Sequence, residues 1–384
     1  MQQVNACCMV ILWEIDKILC LCRRFTDEEK DRYIMIYFNN DYSEGAHPKI
    51  LEKLTETNME QTSGYGQDEY CKKAAGKIKE LCGNNELDVH FLVGGTQTNL
   101  TVIAAVLRTF QGVIGAETAH INVHETGAIE SCGHKVLALP SSDGKITANQ
   151  IEECYQAHIN DESHEHTVCP KMVYISQPTE LGTLYTKAEL QGISNVCRKN
   201  RLFLFVDGAR IGYGLAAKGN DVTLQDMAEY ADVFYIGGTK VGALFGEAVV
   251  IKNDYIKEDF RYVMKQKGGM LAKGRLLGIQ FLALFEDNLY MELSEHADRM
   301  ADRLRETFDE LKVPYLVENT TNQIFPILPD KVLEELKQKF AFSYMNRVDE
   351  EHSAVRFCTS WATKVESVER LQKEMKALKQ ANIL

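Results

Sequence analysis

The sequence predicts an α/β fold in which helices cover both faces of a mostly parallel sheet. Seven short apolar runs alternate with helical stretches from about residue 48 onward, and this alternation is typical of parallel sheets. At 384 residues the chain suits two domains, at roughly 150 residues each. A hydrophobic content of 45% and a charged content of 26% are those of an ordinary soluble globular protein.

The first predicted elements are a short strand at residues 36–38 and helices at residues 48–57 and 69–81. Short apolar runs bounded by glycine-containing turns then predict the strands of the main sheet. These seven runs are residues 90–93, 113–114, 136–139, 172–175, 202–206, 233–236 and 248–251.

The C-terminal part has a different pattern. A long amphipathic helix is predicted over about residues 285–312, followed by strands near residues 323–327 and 354–359 and a closing helix from Val365. This order predicts a smaller α+β domain after the large one.

We therefore expect a large domain over residues 35–285 and a small domain over residues 286–384. Residues 1–34 are interpreted as an extension outside this fold, because Met35 immediately precedes the first predicted strand. Glu14, Asp16 and Lys17 interrupt the apolar stretches of this extension. No run there approaches the ~20 apolar residues of a membrane span. A basic start and a small-residue cleavage site, which mark a signal peptide, are also missing.

Composition excludes several classes of protein. A net charge of -12 argues against nucleic acid or an anionic membrane as the main partner. The 11 cysteines form no CxxC pair, so we expect free thiols and a cytoplasmic location. No metal site is predicted, since the cysteines near the start lack a second ligand pair downstream.

Four groups of residues follow predicted strands, at the sheet edge where open α/β folds bind ligands. The first is GGTQTN at residues 94–99, which precedes a helix predicted over residues 100–109. Glycines let the backbone approach a phosphate, and a helix N-terminus supplies free N–H groups. The turn lacks the spacing of a dinucleotide site and the ending of a P-loop.

The second group is VDGAR at residues 206–210, which places Asp207 at the end of an apolar run. A buried carboxylate needs a cationic or hydrogen-bonding partner. The protonated ring nitrogen of a pyridine cofactor is one such partner. A helix cap or a salt bridge with Arg210 is the structural alternative.

The third group is YIGGTKVGA at residues 235–243, and the fourth is AHINVHE at residues 119–125. Desolvation and nearby cations lower the pKa of a lysine such as Lys240 and free its amine for imine formation. The imidazoles of His120 and His124 can stack on a ring and relay protons near neutral pH. An exposed loop lysine and structural histidines are the alternatives.

Together these groups resemble the fold-type-I pyridoxal-phosphate enzymes and, within them, the threonine aldolase and β-eliminating lyase family. The resemblance runs from about Ile36 to the C-terminus. It also includes FNND at residues 38–41, GYGQD at 64–68, GGM at 268–270, TNQIF at 321–325 and VRF at 355–357.

The resemblance implies that Lys240 carries pyridoxal 5'-phosphate as a Schiff base. Asp207 is expected to pair with the ring nitrogen and His120 to stack on the ring. Gly95 and Thr96 are expected to bind the phosphate.

For the substrate, the resemblance implies a carboxylate clamp of Arg210 and Arg356, with Asn40 and Tyr65 also at the binding site. The sequence departs from the typical threonine aldolase at two places. Asn40 replaces a serine, and SQPTE at residues 176–180 replaces Glu-Asn-Thr-His.

Arg261 and Arg275 match positions through which the family completes its site from a neighbouring subunit. A homo-oligomer is therefore expected, as a dimer or a homotetramer, with a small amino acid as the substrate.

The expected reaction is cleavage of the Cα–Cβ bond of a β-hydroxy-α-amino acid, for example threonine or allo-threonine to glycine and acetaldehyde. His120 or His124 is the candidate base. The alternative reaction is β-elimination from serine-type, cysteine-type or aromatic amino acids. A non-catalytic protein on this scaffold is disfavoured because the lysine and the aspartate are present. A dehydrogenase is disfavoured by the missing GxGxxG motif.

Overall fold

The computed structural model describes residues 35–384, so the predicted extension at residues 1–34 lies outside the described residues. The strands are β1 (Ile36–Tyr37), β2 (Asp88–Leu92), β3 (Gln111–Ala116), β4 (Val136–Leu139), β5 (Cys169–Ser176), β6 (Phe203–Asp207), β7 (Val233–Gly237), β8 (Glu247–Ile251), β9 (Gln323–Ile324), β10 (Ile327–Pro329), β11 (Phe340–Ala341), β12 (Ser343–Arg347) and β13 (His352–Cys358).

The helices divide between the two parts of the chain. The first ten are α1 (Pro48–Glu56), α2 (Glu69–Leu81), α3 (Gly95–Val106), α4 (His120–Val123), α5 (Ala128–Ser131), α6 (Ala148–Ile159), α7 (Lys187–Asn200), α8 (Ile211–Ala216), α9 (Leu224–Tyr230) and α10 (Asp254–Gln266). They are followed by α11 (Arg275–Phe285), α12 (Leu289–Glu310), α13 (Asp330–Leu336) and α14 (Val365–Gln380). None of the helices in residues 35–384 combines the length and hydrophobicity needed to cross a bilayer.

The main sheet has seven strands in the order β2-β8-β7-β6-β5-β3-β4. All of the neighbouring pairs from β7 to β4 are parallel. Strand β8 runs antiparallel to both β7 and β2. Every residue of β7 and β8 is buried, as expected for strands covered by helices on both faces. The prediction of seven strands in a mostly parallel sheet is confirmed.

Helix α2 has the predicted bounds, because Asp68 caps it by accepting a hydrogen bond from the backbone N–H of Cys71. The prediction for α3 was wrong at both ends. This helix begins at Gly95, directly after an extended Gly94 whose carbonyl accepts from the N–H of Thr98 at 3.0 Å. It ends before Leu107, whose backbone is extended. The glycine-rich motif is therefore the first helical turn itself.

The second sheet contains β10, β13 and β12 in that order, with β9 also paired to β13. Strand β1 pairs in parallel with β11, which joins the start of the described chain to its C-terminal part.

Two hydrophobic clusters fill the interior, and α12 contributes to both. Its first half packs Leu289 and Ala297 into the larger cluster, and its second half packs Met300 and Phe308 into the smaller one. The smaller cluster also contains Phe38. We propose the two-domain division of the sequence analysis with one change: the strand β1, which was expected in the large domain, is assigned to the smaller domain because it pairs with β11.

Candidate active site

Side chains that follow β2, β3, β5, β6 and β7 meet in one pocket at the carboxyl edge of the main sheet. The pocket is lined by Gly95, His120, Ser176, Pro178, Thr179, Glu180, Asp207, Ala209, Arg210, Tyr235 and Lys240. Strands that run in parallel deliver their following loops to the same edge. Lys240 and Asp207, which were predicted to act on one cofactor, therefore line the same pocket.

Two glycines allow the loops after β6 and β7 to pack against each other. A Cβ atom on Gly208 would lie 1.9 Å from the carbonyl oxygen of Tyr235. A Cβ atom on Gly237 would lie 2.2 Å from the carbonyl oxygen of Ala209. Any larger residue would push the loops apart, so the motif glycines set the distance between the aspartate and the lysine.

Asp207 is the last residue of β6 and is held by several donors. Its Oδ1 accepts a hydrogen bond from the N–H of Ala209 at 2.9 Å. Its Oδ2 accepts from the hydroxyl of Tyr174 and from the amide of Asn99 at 3.2 Å. Burial raises the pKa of Asp207, but its polar contacts, first among them the hydrogen bond from Tyr174, together outweigh burial and hold the pKa below its usual value. The group is therefore ionised at neutral pH.

Lys240 lies in the turn between β7 and β8, and its backbone carbonyl accepts a hydrogen bond from the Tyr213 hydroxyl. Burial, followed by the charge of Arg210, lowers the pKa of its amine. The carboxylates of Asp41 and Asp207 oppose this shift only in part. A lysine whose charged form is disfavoured supplies more neutral amine, which is the nucleophilic form.

His120 begins α4 and is braced through its ring. Its Nδ1 lies 2.8 Å from Oε1 of the buried Glu125. The same Glu125 oxygen accepts from the amide of Asn99 at 2.7 Å, and that amide also reaches Asp207. The His120 side chain stays 36% exposed. A continuous polar network thus ties the imidazole at the pocket to the carboxylate at its base.

His124 lies one turn after His120, with 5.6 Å between the ring centroids. Burial, followed by the charges of His120 and Arg356, lowers the pKa of its imidazole. The ring is therefore neutral at pH 7 and available as a base.

The N-terminus of α3 borders the pocket at Gly95. The N–H groups of its first turn, at Gly95, Thr96 and Gln97, have no acceptor within the helix. Such a turn attracts an anion through both its free donors and the helix dipole.

Arg210 does not stand free for a substrate. Its Nε and Nη2 donate to the two carboxylate oxygens of Asp41 at 2.7 and 3.0 Å. Asp41 is fully buried and also accepts from the amide of Asn322 at 3.0 Å. Burial raises the pKa of Asp41, but the charges of Arg210 and Lys240, together with the hydrogen bonds that it accepts, outweigh burial and lower the pKa. The predicted clamp role of Arg210 needs donors that Asp41 leaves unused.

Arg356 differs from Arg210 because it donates its hydrogen bonds to uncharged groups. Its Nη2 donates to the carbonyl of Asn39 at 2.9 Å and its Nη1 to the side chain of Gln323 at 3.2 Å. Its Nε is buried without a partner in the described chain. These acceptors are neutral, so the guanidinium keeps a positive charge that a substrate carboxylate can neutralise.

Comparison with known proteins agrees with this geometry. The profile described as beta-eliminating lyase matches residues 41–330. The chain belongs to this family. It is 30% identical over 342 residues to the low-specificity L-threonine aldolase of Pseudomonas aeruginosa, which covers 88% of this chain and 96% of that protein.

Solved structures of similar proteins extend the family assignment to the fold. A threonine aldolase of Leishmania major is 45% identical, covers 89% of this chain and 99% of its own, and superposes with a TM-score of 0.87. An aspartate aminotransferase of Thermus thermophilus shares the fold at 13% identity, covering 93% of this chain and 94% of its own, with a TM-score of 0.67. The predicted fold-type-I architecture is confirmed.

Three of the residues predicted to bind substrate, Asn40, Tyr65 and Arg356, do not line the Lys240 pocket. Asn40 forms a local turn, in which its Oδ1 accepts from the N–H of Tyr42 at 2.9 Å and the hydroxyl of Ser43 at 3.0 Å. Only its amide nitrogen remains for a ligand.

Tyr65 lies elsewhere in the described chain. Its carbonyl accepts from Arg261 at 3.2 Å, and the amine of Lys265 lies 4.6 Å from its ring centroid. The helix α10 that carries Arg261 holds Tyr65 at a pocket separate from that of Lys240. Its role in substrate binding stays a prediction. Tyr65 therefore lies beside Arg261, a residue predicted to act on a neighbouring subunit.

The sequence analysis gave no role to five side chains of the site: Asp41, Asn99, Glu125, Tyr174 and Glu180. Asn99 and Glu125 stand inside motifs already recognised, so the motifs carried a signal for them. Tyr174 lies inside a predicted buried strand, where an aromatic residue indicates core packing. No group of three or more His, Cys, Asp or Glu side chains in residues 35–384 is arranged to hold a metal ion.

The Arg210–Asp41 pair gives a prediction for stability. Arg210→Ala leaves the buried carboxylate of Asp41 without its cation, and breaking such a pair costs about 3–5 kcal/mol. We expect a loss of this size in the free energy of unfolding, measured by urea denaturation of the cofactor-free protein. Arg347→Ala is the control, because the Arg347–Asp330 pair is exposed and is worth under about 1 kcal/mol. Equal losses in both variants contradict the prediction.

Proposed function

We propose that the chain is a pyridoxal-phosphate-dependent lyase that cleaves the Cα–Cβ bond of β-hydroxy-α-amino acids. Threonine or allo-threonine then gives glycine and acetaldehyde. The observation that carries the proposal is one pocket lined by both a lysine of lowered pKa and an ionised aspartate. The names of the similar Pseudomonas and Leishmania proteins support the substrate class.

The residues of the pocket fit pyridoxal 5'-phosphate. We assign the phosphate to the free N–H groups of Gly95 and Thr96, the ring nitrogen to Asp207, the ring face to His120 and the aldehyde to Lys240. The N–H groups of the helix turn are donors for the phosphate oxygens, the ionised carboxylate of Asp207 is an acceptor for the protonated ring nitrogen, and the amine of Lys240 is a nucleophile for the aldehyde. When bound, the cofactor supplies an aldehyde for an amine and a ring that withdraws electrons.

The chain's own residues then bind and orient the substrate. Arg356, together with the unused donors of Arg210, holds the carboxylate. Fixing that group orients the Cα–Cβ bond for cleavage. The neutral imidazole of His124, or the ring of His120, accepts the proton of the β-hydroxyl group. The lowered pKa of His124 keeps it in the basic form at neutral pH.

We further propose a homo-oligomer, as a dimer or a tetramer, that works in the cytoplasm. Arg261 and Tyr65 lie together outside the Lys240 pocket, as residues that serve a second subunit must. The cysteines at positions 71, 82, 132, 154, 169, 197 and 358 are free thiols, as expected in a reducing compartment.

Product analysis tests the reaction. Purified protein loaded with pyridoxal 5'-phosphate should form glycine and acetaldehyde in equal amounts from L-threonine or L-allo-threonine. Serine and cysteine should give little pyruvate or ammonia. Pyruvate and ammonia as the main products, without acetaldehyde from either threonine isomer, contradict the proposal and assign the chain to β-elimination.

A further inference from the structure

Glu180 faces the pocket from the segment in which the sequence departs from the typical threonine aldolase. Its Oε1 accepts two hydrogen bonds. One comes from the backbone N–H of His120 at 2.9 Å and the other from the hydroxyl of Ser176 at 2.7 Å. Ser176 ends β5 and so lies on the rigid sheet. Glu180 therefore connects the sheet to the first residue of α4.

Helix α4 depends on contacts of this kind. It has only four residues, and its N-cap Ala119 offers no side-chain acceptor. A helix this short is not stable by itself. The carboxylate of Glu180 satisfies one of its free N–H groups from another part of the chain, as an N-cap side chain normally does. Glu125 braces the ring of His120, and Glu180 braces its backbone.

We propose that Glu180 is a positioning residue, which fixes α4 so that the imidazoles of His120 and His124 face the substrate. The inference rests on the proposed function, because it assigns those imidazoles to the reaction. This role accounts for the sequence at residues 176–180, where the chain differs from the typical threonine aldolase. The proposed cofactor contacts do not account for that difference.

Positioning of α4 by Glu180 requires an acceptor oxygen at the right distance and does not require a negative charge. Both hydrogen bonds end on one oxygen, and both partners are donors. A glutamine presents an amide oxygen at the same reach. An aspartate keeps the carboxylate but withdraws it by one carbon–carbon bond, about 1.5 Å, which is beyond hydrogen-bond range of His120.

Paired variants separate positioning from acid–base catalysis. Glu180→Gln should keep kcat within about threefold of the parent, whereas Glu180→Asp should lower kcat by roughly 10- to 100-fold, the effect of a misplaced catalytic group. KM should change much less than kcat in both. Glu130→Ala, which removes an exposed carboxylate from the neighbouring short helix α5, is the control and should match the parent.

Amide hydrogen exchange without substrate gives a second readout that does not depend on activity. In Glu180→Asp the peptide covering residues 119–125 should exchange roughly 2- to 10-fold faster, the factor expected for the loss of one hydrogen bond. Glu180→Gln should exchange like the parent. If Glu180→Gln and Glu180→Asp lose kcat equally and amide exchange is unchanged in both, the proposal is overturned. Glu180 then acts as an acid or a base. If the parent protein does not cleave threonine, only the proposed function is contradicted. The exchange result still shows whether Glu180 holds the backbone of His120.

Discussion

Replacement of Lys240 by alanine is expected to remove both covalent attachment of the cofactor and activity. The pocket holds this amine beside Arg210 and away from water, and its lowered pKa provides the nucleophilic form. Loss of a covalent nucleophile costs up to ~10⁶ in kcat in other enzymes, so we expect a loss of at least ~10³. Mass spectrometry after borohydride reduction should find the cofactor on residue 240 of the parent protein and on no residue of the variant.

The control is Lys252→Ala. Lys252 follows β8, is partly buried and also has a lowered pKa, caused first by burial. It does not line the pocket. Attachment and kcat should therefore remain those of the parent. If the cofactor is still covalently attached to the Lys240→Ala variant after reduction, another residue is the nucleophile. This result contradicts the assignment of the pocket.

The strands of the main sheet were predictable because buried strands leave a local signal. Each is a short apolar run between glycine-containing turns, and all seven runs pair in one sheet. The start of α3 was not predictable from periodicity. Its first turn consists of glycine and polar residues without an apolar face, and it is helical because Gly94 accepts the first intrahelical bond. Propensity disfavours glycine in a helix, but the hydrogen bond from Thr98 to the carbonyl of Gly94 overrides it here.

Lys240 and Asp207 were predictable because each follows a strand, and parallel strands end at a common edge. Which side chains pair with each other inside the site was not predictable, since the hydrogen bonds join distant parts of the sequence. Tyr174 lies 33 residues from Asp207, Asn99 lies 108 residues away, and Asp41 lies 169 residues from Arg210. A motif shows which residue carries the chemistry, but only the fold shows which side chains set its charge.

Asp207→Asn is expected to leave the cofactor attached to Lys240 while lowering kcat by about 10²–10³, the usual cost of removing one oriented electrostatic partner. Asparagine has the shape of aspartate, but it lacks the negative charge that keeps a ring nitrogen protonated. Its amide nitrogen would also face donors, because both Asp207 oxygens accept hydrogen bonds from Ala209, Tyr174 and Asn99. Steady-state kinetics and the borohydride mass measurement together separate this variant from Lys240→Ala.

Asp298→Asn is the matched control, since Asp298 is another buried aspartate, on α12, and does not line the pocket. Both of its oxygens lack a partner in the described chain, and burial raises its pKa to about 9. It is therefore neutral at pH 7, and an amide replaces it without loss of charge. If kcat is unchanged in Asp298→Asn, the decrease of kcat in Asp207→Asn is due to the loss of its ionised carboxylate. A similar loss in both variants would instead mean that any buried carboxyl supports activity through the fold.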